Sequence, residues 1–194
     1  MRGRLLLVAG VVAVLLPTPA SASAAARTPA HRAGAAVTVE HLMFMPGKVK
    51  VGLGESVTWT FPEVTQHTTT SDQGIWDSGA RSAGATYARA FTSAGTFAYH
   101  CSFHPTMRGS VAVGLQVTDP SPSIRAVRWS TVKGAGGTTF DVQVKVGSAR
   151  WRDFRTDTTK PKAKIAVGSD PVKVRARTSS GGQDSGWSKA VRLA

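Results

Sequence analysis

The sequence predicts an all-β protein built as two sandwiches in tandem. Three observations predict it. Apolar residues recur at every second position in many short runs, which is the period of a half-buried strand. Gly, Pro and Ser turn signals separate those runs at short spacing. No stretch carries a convincing helical period.

The chain has 194 residues, enough for two small domains. Residues 1–26 are expected to be a secretory signal peptide. Arg2 and Arg4 form a basic start, Leu5–Leu16 is an apolar run, and Ala20-Ser21-Ala22 and Ala22-Ser23-Ala24 offer small-residue cleavage sites. Such a run is too short for a spanning helix. The mature protein is therefore expected to be exported: secreted, periplasmic or wall-associated. Residues 27–35 are rich in Ala, Pro and Gly, lack a period, and read as a flexible leader.

Strand patterns begin at Ala36. Val37 and Val39 alternate with Thr38 and Glu40, and Val49, Val51 and Leu53 alternate with Lys48, Lys50 and Gly52. Val57, Trp59 and Phe61 follow, after the turn Gly52-Leu53-Gly54-Glu55. Residues 62–85 read as loop and hold His67. Tyr87–Phe91 and Thr96–Cys101 are strands around the turn Ser93-Ala94-Gly95, and Val111, Val113, Leu115 and Val117 form a further run. Residues 36–117 thus make one sandwich with its own core. The polar, proline-punctuated Asp119-Pro120-Ser121-Pro122-Ser123 marks a boundary. Val127/Trp129, Phe140–Val146 and Val172–Ala176 then build a second sandwich over 118–194.

The chemistry sits in Tyr99-His100-Cys101-Ser102-Phe103-His104-Pro105-Thr106-Met107. Cys101 is the single cysteine. Exported proteins usually pair their cysteines, so a lone one is a reactive thiol, an intermolecular bridge or a metal ligand. A histidine three residues on and a methionine three beyond that favour the metal. Thiolate, imidazole and thioether suit copper, and the trigonal blue-copper set is two His, one Cys and a weak axial Met. His67 is the candidate for the missing imidazole. Strand alternation puts Cys101 on the inward face with Phe97 and Tyr99.

These residues carry a family resemblance. Phe44-x-Pro46, Val49–Trp59, His67-Thr68, Asp77-Ser78-Gly79 and Phe91–Val111 with its Cys-x-x-His-x-x-Met loop resemble a cupredoxin, most closely the amicyanin and pseudoazurin type. The resemblance implies a Greek-key β-sandwich, one type 1 copper, and one-electron exchange with a redox protein partner without enzymatic turnover. It makes His67, Cys101, His104 and Met107 the ligands, and gives Thr68 the task of orienting the thiolate. It also implies an apolar patch around His104, here from Phe103, Pro105 and Met45. Phe61-Pro62-Glu63 departs from the Asn and Asp that the family often has ahead of its first histidine.

His100 reads as a surface histidine, because Ser102 breaks the His-Cys-His bridge of multicopper oxidases. His41, Met43 and Met45 share a strand face, either exposed or a second Cu(I) patch. His31 falls in the leader. Residues 118–194 resemble a fibronectin type III module through Val127-x-Trp129, Val172–Ala176 and Ser185-x-Trp187-Ser188, without the usual corner tyrosine. Trp129, Trp151 and Trp187 are expected in the core or on strand faces.

The formal charge of +13 is unevenly spread: residues 119–194 hold 15 Lys/Arg against 6 Asp/Glu, residues 27–118 hold 7 against 5. The second sandwich is thus expected to meet an anionic envelope surface rather than nucleic acid, or to be simply a solvated basic module. The sequence leaves two further functions open: copper capture, storage or delivery, and envelope adhesion with a secondary copper site.

Overall fold

The computed structural model describes residues 32–194. The expected signal peptide and His31 lie outside the described residues. Every regular element described is a strand. In the first sandwich these are β1 (Arg32–Glu40), β2 (Met43–Met45), β3 (Lys48–Val51), β4 (Glu55–Phe61), β5 (Thr70–Ser71), β6 (Ala85–Ala90), β7 (Gly95–His100) and β8 (Arg108–Val113). One sheet has the order β2-β1-β4-β6 and the other β3-β8-β7-β5. β1 runs parallel to β4 and β3 parallel to β8, so the sandwich is not a simple meander.

Alternation does the packing. Val57, Trp59 and Phe61 of β4 are fully buried against Phe97 and Tyr99 of β7 and Val111 and Val113 of β8, within one core. Trp59 donates its Nε1–H to the Tyr99 hydroxyl at 3.2 Å, which satisfies two buried polar groups at once. Burial pushes the Tyr99 phenol up to about 12, against the smaller opposite effect of that hydrogen bond.

Three expectations are revised. β1 starts at Arg32, inside the segment read as flexible leader. Small residues hide strand periodicity there, and they are what the pairing needs. A Cβ at Gly34 would stand 2.9 Å from Glu55 Cβ and Val51 Cγ1. His41 does not share a face with Met43 and Met45. It forms a two-residue hairpin turn with Leu42, both at positive φ (51° and 59°), which is what a tight β1–β2 connection demands. The run Val111–Val117 is broken at Gly114-Leu115. A new strand, β9 (Gln116–Ser121), crosses the expected boundary as a sheet edge, where Pro120 is tolerated.

The second sandwich continues with β10 (Ile124–Arg128), β11 (Thr138–Val146), β12 (Arg152–Thr158), β13 (Lys162–Ala166), β14 (Val172–Ser180), β15 (Gln183–Asp184) and β16 (Val191–Arg192). Its sheets are β13-β10-β9 and β12-β11-β14, with β15 and β16 both on β14. Trp129, Phe140, Val142, Val174 and Ala176 fill it. Trp151 and Trp187 lie outside, sandwiching the Arg175 guanidinium at 4.4 and 4.6 Å from the ring centroids.

The two sandwiches share one continuous core within a single compact unit. Thr96 and Gly186 exchange reciprocal backbone hydrogen bonds of 2.8 Å, Ala94 N–H donates to Trp129 O at 2.7 Å, and the Thr178 hydroxyl donates to Ala94 O at 2.9 Å. Gly95 lies in the middle of these contacts, at φ 156°, and a Cβ there would drive into the Ser185 hydroxyl. That hydroxyl is pinned, accepting from Thr178 N–H at 3.0 Å and donating to Gly186 O at 3.1 Å. Gly95→Ala should therefore cost about 1–3 kcal/mol, the usual penalty of overpacking. Urea unfolding followed by tryptophan fluorescence and far-UV dichroism should show one earlier transition. Two separated transitions in the parent chain would contradict the shared core.

Candidate metal centre

Cys101 leaves the end of β7 pointing inward and is fully buried, as alternation requires. The next six residues form two successive tight turns. His104 N–H donates to Cys101 O at 3.2 Å, and Met107 N–H donates to His104 O at 2.9 Å. Cys101 N–H closes the loop on Met107 O at 3.1 Å. The three-residue spacing seen in the sequence is thus one turn per ligand-type residue. Met107 is 2% exposed.

His67 comes from the loop between β4 and β5. Its backbone is clamped to Arg81 by reciprocal hydrogen bonds of 2.9 and 2.8 Å. Its ring is fully buried. His67 Nδ1 stands 3.7 Å from Cys101 Sγ, and His104 Nδ1 stands 3.5 Å from the same sulfur. The two imidazoles lie with centroids 4.8 Å apart. Three donor atoms therefore converge on one point. Metal bonds of about 2.0–2.3 Å allow two donors on one ion to be no more than about 4.3 Å apart, and both nitrogen–sulfur separations meet that limit. A buried thiol with two imidazoles and a buried thioether in the same loop is a soft donor set, and it fits copper.

Thr68 lies between the His67 and Cys101 loops. Its backbone N–H donates to Cys101 Sγ at 3.4 Å, which fixes the position of the sulfur. Its hydroxyl accepts from Ser102 N–H at 2.8 Å, tying the two loops together. That hydroxyl also contacts Thr70 Oγ1 at 2.8 Å, and Thr70 donates to Asp77 at 3.2 Å. Asp77-Ser78-Gly79 earns its place in the motif here: Ser78 Oγ accepts from Thr69 N–H at 2.8 Å and Asp77 caps Gly79 N–H at 2.8 Å.

Glu63 is the residue that sequence reasoning undervalued. Its carboxylate accepts from His41 N–H and lies 4.0 Å from His67 Nε2, which is buried and otherwise without a partner. Glu63 thus stands behind the ring without hydrogen-bonding it, four residues ahead of it in the chain. His100 points the other way, half-exposed, and holds Asp72 at 2.6 Å.

The comparisons agree with this geometry. Residues 32–114 match the family model for copper binding proteins of the plastocyanin/azurin family. Over this stretch the chain resembles the cupredoxins. Amicyanin from Paracoccus denitrificans is 32% identical over 82 residues, covering 40% of this chain and 63% of the relative. Amicyanin from Paracoccus versutus is 34% identical over 82 residues, covering 40% and 62%. The chain thus spans less than two thirds of the length of these curated relatives. A solved structure of a reduced amicyanin mutant is 30% identical, covers 41% of this chain and 81% of that one, with a TM-score of 0.39. The donor set just described fits one type 1 copper, the cofactor of the family that this stretch resembles.

The metal-free centre should be sensitive to acid. Burial foremost, and then the neighbouring His104, hold His67 below the ordinary histidine value of 6.5, while Glu63 acts in the opposite direction. Between those two values the unfolded chain binds more protons than the folded one, so stability falls as pH drops below 6.5. The urea midpoint of the metal-free protein should fall between pH 7.5 and 5, and His67→Asn should flatten that slope. An unchanged slope in the variant would remove His67 as the cause.

Proposed function

We propose that the chain is an exported one-electron carrier in which His67, Cys101, His104 and Met107 hold one type 1 copper. The observation that carries this reading is the convergence of three donors in a buried, braced site. When bound, the metal supplies a centre that takes one electron from a reduced protein partner and passes it to an oxidised one. The residues do the rest. Cys101 would provide the sulfur donor, and Thr68 N–H is directed at it. His67 and His104 would offer two imidazole donors from separate loops, and Met107 would offer a weak thioether donor that tunes the potential. The Arg81 clamp on His67 and the Thr68–Ser102 tie hold the loops, so little rearrangement would accompany a change of oxidation state. With four donors supplied by the chain, no position is left for a substrate, and the protein is a carrier rather than an enzyme.

Leu42, Val64 and Phe103 are 52%, 85% and 51% exposed. They come from three loops joined through the His41–Glu63 and Thr68–Ser102 contacts, and they support an apolar docking rim for a redox partner at the copper end. The two-sheet build of residues 116–194 supports the fibronectin type III-like reading of the second sandwich. Arg128, Lys162 and Lys164 share the outer face of its smaller sheet, and they support contact with an anionic envelope surface.

A second reading, copper capture and delivery, is favoured by the exposed Met43 and Met45 (52% and 37%) of β2. Cu(II) addition separates the two. A carrier develops an intense thiolate-to-copper band in the visible, lost in Cys101→Ser, shifted in Met107→Ala, and resistant to chelators. Weak absorbance indifferent to Cys101→Ser, or rapid loss of copper to a chelator, would favour handling over electron transfer. Retention on an anionic wall polymer should vanish at about 0.5 M salt, where charges are screened beyond about 4 Å, and should weaken in a triple Ala variant of Arg128, Lys162 and Lys164.

A further inference from the structure

A cavity of about 220 Å³ lies where the two sandwiches meet, at the opposite end of β7 from Cys101. Its walls come from both sandwiches. Phe91 and Phe97 of the first and Phe140 of the second are its apolar surfaces. Arg89, Lys133, Thr138 and Ser180 are among its polar lining residues, with four further Ser and Thr side chains. No Asp or Glu is among its lining residues.

Arg89 is the informative one. Its guanidinium stacks over Trp76 and Phe91, 5.4 and 5.9 Å from the ring centroids. Its Nε–H is buried and meets no acceptor among the described residues. A buried donor without a partner is costly, and a guanidinium without a carboxylate is more so. Positive charge from two side chains, an empty hydrogen-bonding position and aromatic walls together define the complementary ligand.

We propose that this junction cavity binds a small aromatic monocarboxylate, its ring between Phe91, Phe97 and Phe140 and its carboxylate on Arg89. The cavity is somewhat below the usual range of ligand pockets, about 300–1,000 Å³, which restricts the ligand to one ring and a short acid arm. A dianionic phosphate loses more hydration on entering apolar walls, so a singly charged carboxylate is the better match. Because both sandwiches contribute walls, the ligand binds only the joined arrangement and stabilises it by mass action. The site is separate from the copper loop, and the proposal stands whatever the metal centre does.

The test is a titration of the full chain with benzoate and 3-phenylpropionate, followed by two-dimensional amide NMR and thermal unfolding. Saturable shifts are expected at Arg89, Phe91, Thr138 and Ser180, with a rise in Tm. Benzyl alcohol should bind at least about tenfold more weakly, since it lacks the charge. Arg89→Met keeps an apolar stem over Trp76 and should weaken benzoate about tenfold while leaving benzyl alcohol within about twofold. Should that variant misfold, Ala135→Phe, at the exposed loop by the cavity, should block entry without touching the core. The proposal is overturned by an absence of saturable shifts, by benzoate binding that survives both variants, or by shifts confined to the basic sheet face around Lys162 and Lys164.

Discussion

The burial of the Cys101 sulfur is the constraint on which the rest of the first sandwich depends. A thiolate out of water is stable only if positive or donating groups surround it. Each feature of the site answers that need. β7 delivers the sulfur inward, Thr68 turns a backbone N–H toward it, and two imidazoles face it with Nδ1. None of these would hold without the loops being fixed to one another. Thr68 Oγ1 on Ser102 N–H and the Arg81 clamp on His67 provide that fixing. The sheet then matters less as a container than as a frame that lets two distant loops keep one geometry.

What was legible in the sequence follows from distance along the chain. Cys101, His104 and Met107 could be read because one turn separates each from the next, and spacing survives in a linear text. His67 needed only its residue type and the scarcity of histidines. The supporting shell was harder. Thr70, Ser102 and Arg81 are residue types found in any loop, and their roles exist only through partners some 14–34 positions away. Glu63 was visible as an oddity ahead of His67, yet its meaning required the His67 ring to be seen with Nε2 turned toward it. Strand periodicity failed in two places for opposite reasons. Ala33-Gly34-Ala35 has too little side chain to show alternation, and Val111–Val117 shows an alternation that Gly114 interrupts.

The union of the two sandwiches was the least legible feature, and its cause is specific. The segment Asp119–Ser123 has the composition of a linker, but Asp119 binds Arg125 at 3.0 Å and the strand simply turns back as a hairpin. The true seam lies elsewhere, at Thr92–Thr96 against Trp129, Thr131, Thr178 and Gly186, and it is made largely of backbone hydrogen bonds. Backbone pairing leaves no compositional trace, so a sequence read for side-chain pattern sees two modules where the structure has one body.

That seam also sets the direction of the molecule. β7 carries the second sandwich at Gly95–Thr96 and Cys101 just beyond its other end, about 17 Å of extended strand away. The basic sandwich therefore leaves the loop holding His104 and Phe103 uncovered. A flexible tether between the two would let the copper end sample every orientation once the basic face had bound. A shared core with reciprocal hydrogen bonds cannot. Whatever surface the Arg128, Lys162 and Lys164 face meets, it fixes at the same time which way the ligand loop points. Rigid coupling thus converts a nonspecific electrostatic contact into a defined presentation of the apolar rim.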